Sequence, residues 1–214
     1  MIRCIALASS LALVSLPICA TTYTLEPDYT QGVFRWDHLG FSSPAAQFSQ
    51  AEGTLEFDPA DPTKSSVKVT IPLGSLHTGV SELDEHLRSK DFFETTRFPT
   101  ATFTSTRVEK DPAIGQLRVT GDLSLHGVTK PVVLEVKLTK IGANVRTNVP
   151  TIGFDATTTV KRSEFGLGHF VPLVSDEIQI RIGCEAGEAK AYAEMLKAEA
   201  AEEAAAAKEA AKKK

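Results

Sequence analysis

The sequence predicts an all-β fold in which about eight antiparallel strands form a closed barrel or a sandwich. Three observations carry this. Apolar and polar residues alternate with a period of two through most of residues 32–182, turn-forming residues separate the alternating runs, and only one segment among them has helical spacing. Period two is what a sheet with one apolar and one wet face demands. One helix is too little to cover an open sheet of eight strands, whereas closing the sheet removes its edges.

Ahead of the strands, Met1 to Ala20 has the outline of a secretory signal: Arg3, an apolar run from Ile5 to Leu16, then small residues. Ile18 stands directly before Cys19, where lipoprotein signals carry a small residue, so cleavage after Ala20 is expected and Cys19 is not lipidated. The run is too short for a membrane span, and no later segment reaches ~18 uninterrupted apolar residues. A soluble, exported, periplasmic protein is expected, with residues 1–20 as signal, 21–185 as the folded domain and 186–214 as a tail.

The first strand, 32–39, sets Phe34, Trp36 and His38 on one face against Arg35 and Asp37. The second, 46–58, mixes small and large residues: Ala51 and Gly53 beside Leu55 and Phe57. Val67 to Leu73 alternates strictly. Strand 100–108 sets Ala101 beside Phe103, and 116–125 sets Gly121 beside Leu123. Val132, Leu134, Val136 and Leu138 share a face, and 150–161 places Ala156 and Thr158 beside Phe154. Ile178, Ile180 and Ile182 oppose Glu177, Gln179 and Arg181, with Cys184 following in phase as a buried, inert thiol. The turns fit: Asp58-Pro59-Ala60-Asp61-Pro62, Asp111-Pro112 and His126-Gly127. Small residues among large ones either taper a packed interior or leave a lumen, and pattern alone does not separate the two.

The single helix of the core is read over Ser81–Leu87. Ser81 is expected to cap it, Glu82 and Asp84 suit its dipole, and Leu83, His86 and Leu87 share one face. From Ala186 to Lys214 the chain is almost wholly Ala, Glu and Lys, a strong helix former. Tyr192, Met195 and Leu196 are expected to dock its first turns, and nothing apolar remains beyond Ala200.

Charge and motifs exclude several functions. The tail is neutral, and residues 21–185 hold 16 basic and 21 acidic residues, net −5, with no Lys/Arg cluster to neutralise phosphates, so nucleic acid is not an expected partner. Cys184 alone remains after the signal, which excludes an internal disulfide. No G-x-S-x-G, H-E-x-x-H, Walker loop or G-x-G-x-x-G occurs. His77 and His86 flank Asp84 and Glu85 but match no standard metal-ligand spacing, and no metal site is expected. His126 reads as a turn residue. His38 and His86 both belong to faces aimed at an apolar interior, where an imidazole needs partners. They bond to each other, to Asp84 or to backbone, or else they meet the polar head of a ligand.

Several blocks resemble a known family. Trp36-Asp37-His38-Leu39-Gly40, Gly74-Ser75-Leu76-His77-Thr78-Gly79, Asp84-Glu85-His86-Leu87 with Asp91-Phe92-Phe93, Phe98-Pro99-Thr100-Ala101-Thr102-Phe103, Gly121 through Pro131, and Lys161-Arg162-Ser163-Glu164-Phe165-Gly166 stand in the order seen in YceI-like proteins. The resemblance covers nearly all of 21–185. It implies an exported, eight-stranded antiparallel lipocalin-like barrel with one short capping helix, here followed by the helical tail. It also implies an apolar ligand, a polyprenyl compound or isoprenoid quinone, and a membrane cytochrome b as a protein partner, with the chain a monomer or homodimer. No other cofactor is expected. Leu83 replaces the Arg that usually precedes Asp84 in the family, which favours a neutral head over an anionic one.

The expected function is therefore a non-enzymatic carrier or store for an isoprenoid-type lipid. Phe34, Trp36, Leu55, Phe57 and Phe103 are expected along the wall, with Leu83 and Phe165, and with His38 and His86 at the head end. Two rivals stand beside it: a lipid-modifying hydrolase or isomerase using His38, His86 and Asp84, and an envelope interaction module acting through the tail.

Overall fold

The computed structural model describes residues 20–111 and 116–212. The expected signal over Met1 to Ala20, the Pro112 turn and the last two lysines lie outside the described residues, Ala20 excepted. The chain meanders up and down. Its strands are β1 (Thr21–Leu25), β2 (Gln31–Arg35), β3 (Ala45–Phe48), β4 (Glu52–Phe57), β5 (Ser66–Pro72), β6 (Leu76–His77), β7 (Thr100–Lys110), β8 (Gln116–Leu125), β9 (Val128–Ala143), β10 (Pro150–Lys161) and β11 (Glu177–Glu188). Helix α1 (Ser81–Arg88) separates β6 from β7, and α2 (Ala189–Lys212) follows β11.

Eleven segments make eight strands because the first three are each broken in two. β11 pairs with β1 through Ala186–Glu188 and with β2 through Gln179–Gly183, so β1 and β2 are halves of one strand. Pro27, which lacks an N–H for the ladder, opens the 3-10 turn between them. β3 and β4 pair with β2 and β1 in the same way, and their break falls at Gln50, whose φ is +63°. β5 and β6 repeat the pattern around the turn Leu73–Ser75. From β5 the ladder runs unbroken through β7, β8, β9, β10 and β11 and returns to β1, an eight-stranded antiparallel barrel. The hairpin from β8 to β9 turns on His126 and Gly127, both left-handed (φ +51° and +76°), the geometry that suits the twist of a two-residue hairpin.

Up-and-down order fixes which loops meet. Residues 36–44, 73–99, 126–127 and 162–176 lie at one end, while 58–65, 144–149, the start of β1 and the start of α2 lie at the other. At the first end the sheet parts between β6 and β7, and α1 with its following loop fills the gap.

Several expectations change. Thr21–Leu25, read as no element in the sequence, is a strand. The 32–39 and 46–58 strands are shorter and broken. β11 continues to Glu188, three residues past the expected domain boundary. Ser81 is the first residue of α1 and caps nothing; Val80 holds the cap position without a side-chain bond. On α2, Tyr192 packs against Gly187, where a Cβ would lie 3.1 Å from its ring, and Met195 is half-buried. Leu196 is exposed and does not dock. The Glu188 carboxylate accepts hydrogen bonds from the Lys190 and Ala191 amides (3.3 and 2.8 Å), satisfying free donors of the helix start.

Candidate functional site

Alternation along each strand sends one set of side chains inward, and these line a cavity of about 410 Å³ that follows the barrel. β8 supplies Leu117, Val119, Leu123 and Leu125; β9 supplies Val132, Leu134 and Val136; β10 supplies Phe154, Ala156, Thr158 and Val160; β11 supplies Ile178, Ile180, Ile182 and Cys184. The buried apolar residues fall into three clusters arranged around this space rather than one continuous core. The lumen is therefore real, but not every small residue creates it. A Cβ on Gly121 would meet the Phe103 ring at 2.4 Å and the Thr104 carbonyl oxygen at 2.6 Å, and one on Gly53 would meet the Lys68 carbonyl oxygen at 2.3 Å. Those two glycines accept neighbouring atoms; Ala51, Ala101 and Ala156 face the open space.

All nine residues singled out in the sequence line the cavity: Phe34, Trp36, His38, Leu55, Phe57, Leu83, His86, Phe103 and Phe165. Phe34 stacks on Phe48 (5.2 Å between centroids), and Phe93 meets both edge-on, a rigid aromatic wall below α1. Neither His38 nor His86 hydrogen-bonds the other, Asp84 or backbone through its ring. Both are exposed at the α1 end, with His86 edge-on to Phe92 at 5.0 Å. Three exposed lining residues, His38, His86 and Phe170, stand at this end against Ser66 at the other, and this end is taken as its mouth.

Asp84 does not belong to this set. Its carboxylate accepts from the Thr78 amide (2.7 Å) and hydroxyl (2.6 Å) and lies 3.1 Å from His77 Nδ1. The Thr78 hydroxyl above all, then the Thr78 amide and His77, hold it below the ordinary carboxylate range. His38, His86 and Asp84 are thus not assembled into a catalytic group. Asp84 instead anchors the turn before α1 to the helix. Among the described residues no three His, Cys, Asp or Glu side chains gather as metal ligands.

Sequence reasoning gave no role to Arg162, among the described residues the only Lys, Arg, Asp or Glu that lines the cavity. It is buried, and its guanidinium donates to the carbonyl oxygens of Ser175 (2.8 Å), His169 (2.8 Å), Val174 (3.0 Å) and Leu167. Burial pushes its pKa below the ordinary value, with Asp176 opposing. Spent on four loop carbonyls, it braces residues 166–176 beside the mouth. Its place between a strand and an amphipathic turn reads in sequence as surface, so only the motif around it marked the position. Cys184 is pushed up to about 11 by burial, with the Thr30 hydroxyl opposing, and stays a thiol at neutral pH.

A YceI-like domain model matches residues 23–186. The chain belongs to the YceI-like family. Protein YceI of Shigella flexneri is 42% identical over 152 residues, covering 71% of this chain and 78% of the relative, and Protein YceI of Escherichia coli O157:H7 is 41% identical over the same span. Among solved structures, the Campylobacter jejuni YceI protein is 30% identical with a TM-score of 0.62, covering 71% of this chain and 89% of that one. BcnA of Burkholderia cenocepacia (24% identical, TM-score 0.68, 75% and 98% covered) shares the fold. So does a polyisoprenoid binding domain from Saccharophagus degradans implicated in plant cell wall breakdown (17% identical, TM-score 0.60, 78% and 99% covered). The YceI-like barrel is thus found in proteins that this chain covers for most of their length.

Proposed function

We propose that the protein is an exported, periplasmic carrier or store for a long apolar isoprenoid-type lipid, a polyprenyl compound or isoprenoid quinone, held in the barrel. The observation that carries this reading is the cavity itself. It is within the size range of small-molecule sites; among the described residues its wall holds no Asp, Glu or Lys, and its one Arg is consumed by backbone. The polyisoprenoid binding domain from Saccharophagus degradans, with the same fold, supports the choice of ligand class. At ~0.8 kcal/mol per methylene, about ten enclosed carbons contribute about 8 kcal/mol, near a micromolar dissociation constant before the costs of association.

The head end favours an uncharged group. With Leu83 at the mouth and Arg162 engaged, no other Lys or Arg among the described residues lines the lumen to meet a phosphate, whereas His38 and His86 each offer an imidazole to a carbonyl or hydroxyl. A membrane cytochrome b is the protein partner in keeping with such cargo. No activated nucleophile stands beside either histidine, so the proposed role needs no chemistry. Organic extraction of purified protein followed by mass spectrometry tests the reading: a stoichiometric apolar molecule with an isoprenoid chain is expected. Repeated recovery of none, together with failure to take up added quinone, overturns it.

A further inference from the structure

Two loops at the mouth carry apolar side chains where a soluble hairpin would carry polar ones. In the first, Phe41 N–H bonds to His38 O (3.0 Å) across Leu39 and Gly40, whose φ values are +59° and +74°. That is a type I′ turn, whose first position belongs to Asn, Asp or Gly; here Leu39 takes it, at a steric cost. Phe41 follows and is 89% exposed. In the second loop Phe170 also has a left-handed backbone (φ +65°), and Leu173 is 68% exposed beside Val171.

Backbone ties the loops together. His38 bridges to Val174, Ser175 N–H bonds to Asp37 O (3.1 Å), and Asp37 N–H bonds to Ser175 Oγ (2.9 Å). Neither 38–44 nor 165–175 contains an Asp, Glu, Lys or Arg. Of the acids at their bases, Asp37 accepts from the Gly40 amide and Asp176 from the Ser163 amide and hydroxyl, while Glu164 is exposed. The apolar surface is continuous with the lumen, because Phe170, Val174 and His38 border both.

We propose that this rim, led by Phe41 and Leu173, is a membrane-docking surface that seats the mouth against the headgroup and acyl boundary of a bilayer, so that cargo passes between membrane and barrel without crossing water. The proposal rests on the lipid-carrier reading and names the partner of that same site. Exposed apolar side chains on two joined loops mark an interaction surface, and the absence of Asp, Glu, Lys and Arg from 38–44 and 165–175 fits insertion of those loops into a bilayer rather than attraction to anionic lipids.

The test is flotation of the mature chain, from Thr21 onward, with vesicles of pure phosphatidylcholine at low and high salt. Binding that salt leaves unchanged is expected, with partitioning at least roughly tenfold weaker in the Phe41→Ser/Leu173→Ser double variant. Neither side chain lines the lumen, so uptake of an apolar fluorescent dye by the cavity stays as in the parent. A parent chain that takes up dye but does not float overturns the docking surface and leaves the carrier reading intact. Flotation that the double variant fails to weaken also overturns it, as does a solution dimer that the same variant converts to monomer. Variant-sensitive flotation by a chain that takes up no dye upholds docking and removes the carrier reading instead.

Discussion

The aromatic ring of Phe103 lies where Gly121 has no Cβ, and that omission lets the ring take its place in the wall of the lumen. Gly121→Ala drives a methyl group into the ring and a carbonyl oxygen, an overpacking that should cost about 1–3 kcal/mol in denaturant unfolding. Arg162 sets the opposite kind of constraint. Arg162→Met keeps the volume but leaves loop carbonyls unpaired, and about 3 kcal/mol of stability should go with them. Proteolysis should then fall first within 166–176. Cys184, the one thiol after residue 20, should resist alkylation at pH 7 in the folded chain and react as pH approaches 11 or on denaturation. Of these three residues only Cys184 was legible in the sequence, because its phase with three isoleucines fixes its burial. A glycine's void and an arginine's buried carbonyls come from strands and loops remote in the chain.

α1 is held by one carboxylate rather than by a capping hydroxyl. Asp84→Asn keeps the shape but weakens the bonds from Thr78 and His77, and should lower the melting temperature above pH 4. The sign follows from the depressed pKa. The native fold binds the ionised form better than the unfolded chain does, so the stabilisation is fully present above the ordinary carboxylate value. It is lost as pH falls through the lower folded one. The wild-type chain should therefore lose stability on acidification in a step that the Asn variant lacks. At the other end, a chain stopped after Glu188 loses the Tyr192 contact but keeps every barrel strand. It should retain ligand uptake, whereas a stop at Ala186 removes two residues of the β1–β11 ladder and should not serve as the comparison. Strand identity was legible wherever alternation ran unbroken. The halving of the first three strands was not, since it depends on β11 receiving two partners in turn, a fact of pairing rather than of local pattern.

Across the whole molecule, alternation placed the strand residues of the candidate set, the helix face placed Leu83 and His86, the motif around Arg162 marked Phe165, and all nine do line one space. Whether that space was empty was not legible, because alanine beside phenylalanine reads the same whether a neighbour's ring or nothing at all lies above it. Ala156→Phe separates lumen from core directly. The added ring projects into open volume, so the unfolding midpoint should hold while ligand uptake falls at least roughly tenfold, read by dye titration and by extraction. The meander also sets the turn over 58–65 at the rim opposite α1. A fluorophore or solid support joined at the exposed Ala60 therefore hangs the protein by its far side, leaving the entrance clear for exchange to be followed one molecule at a time.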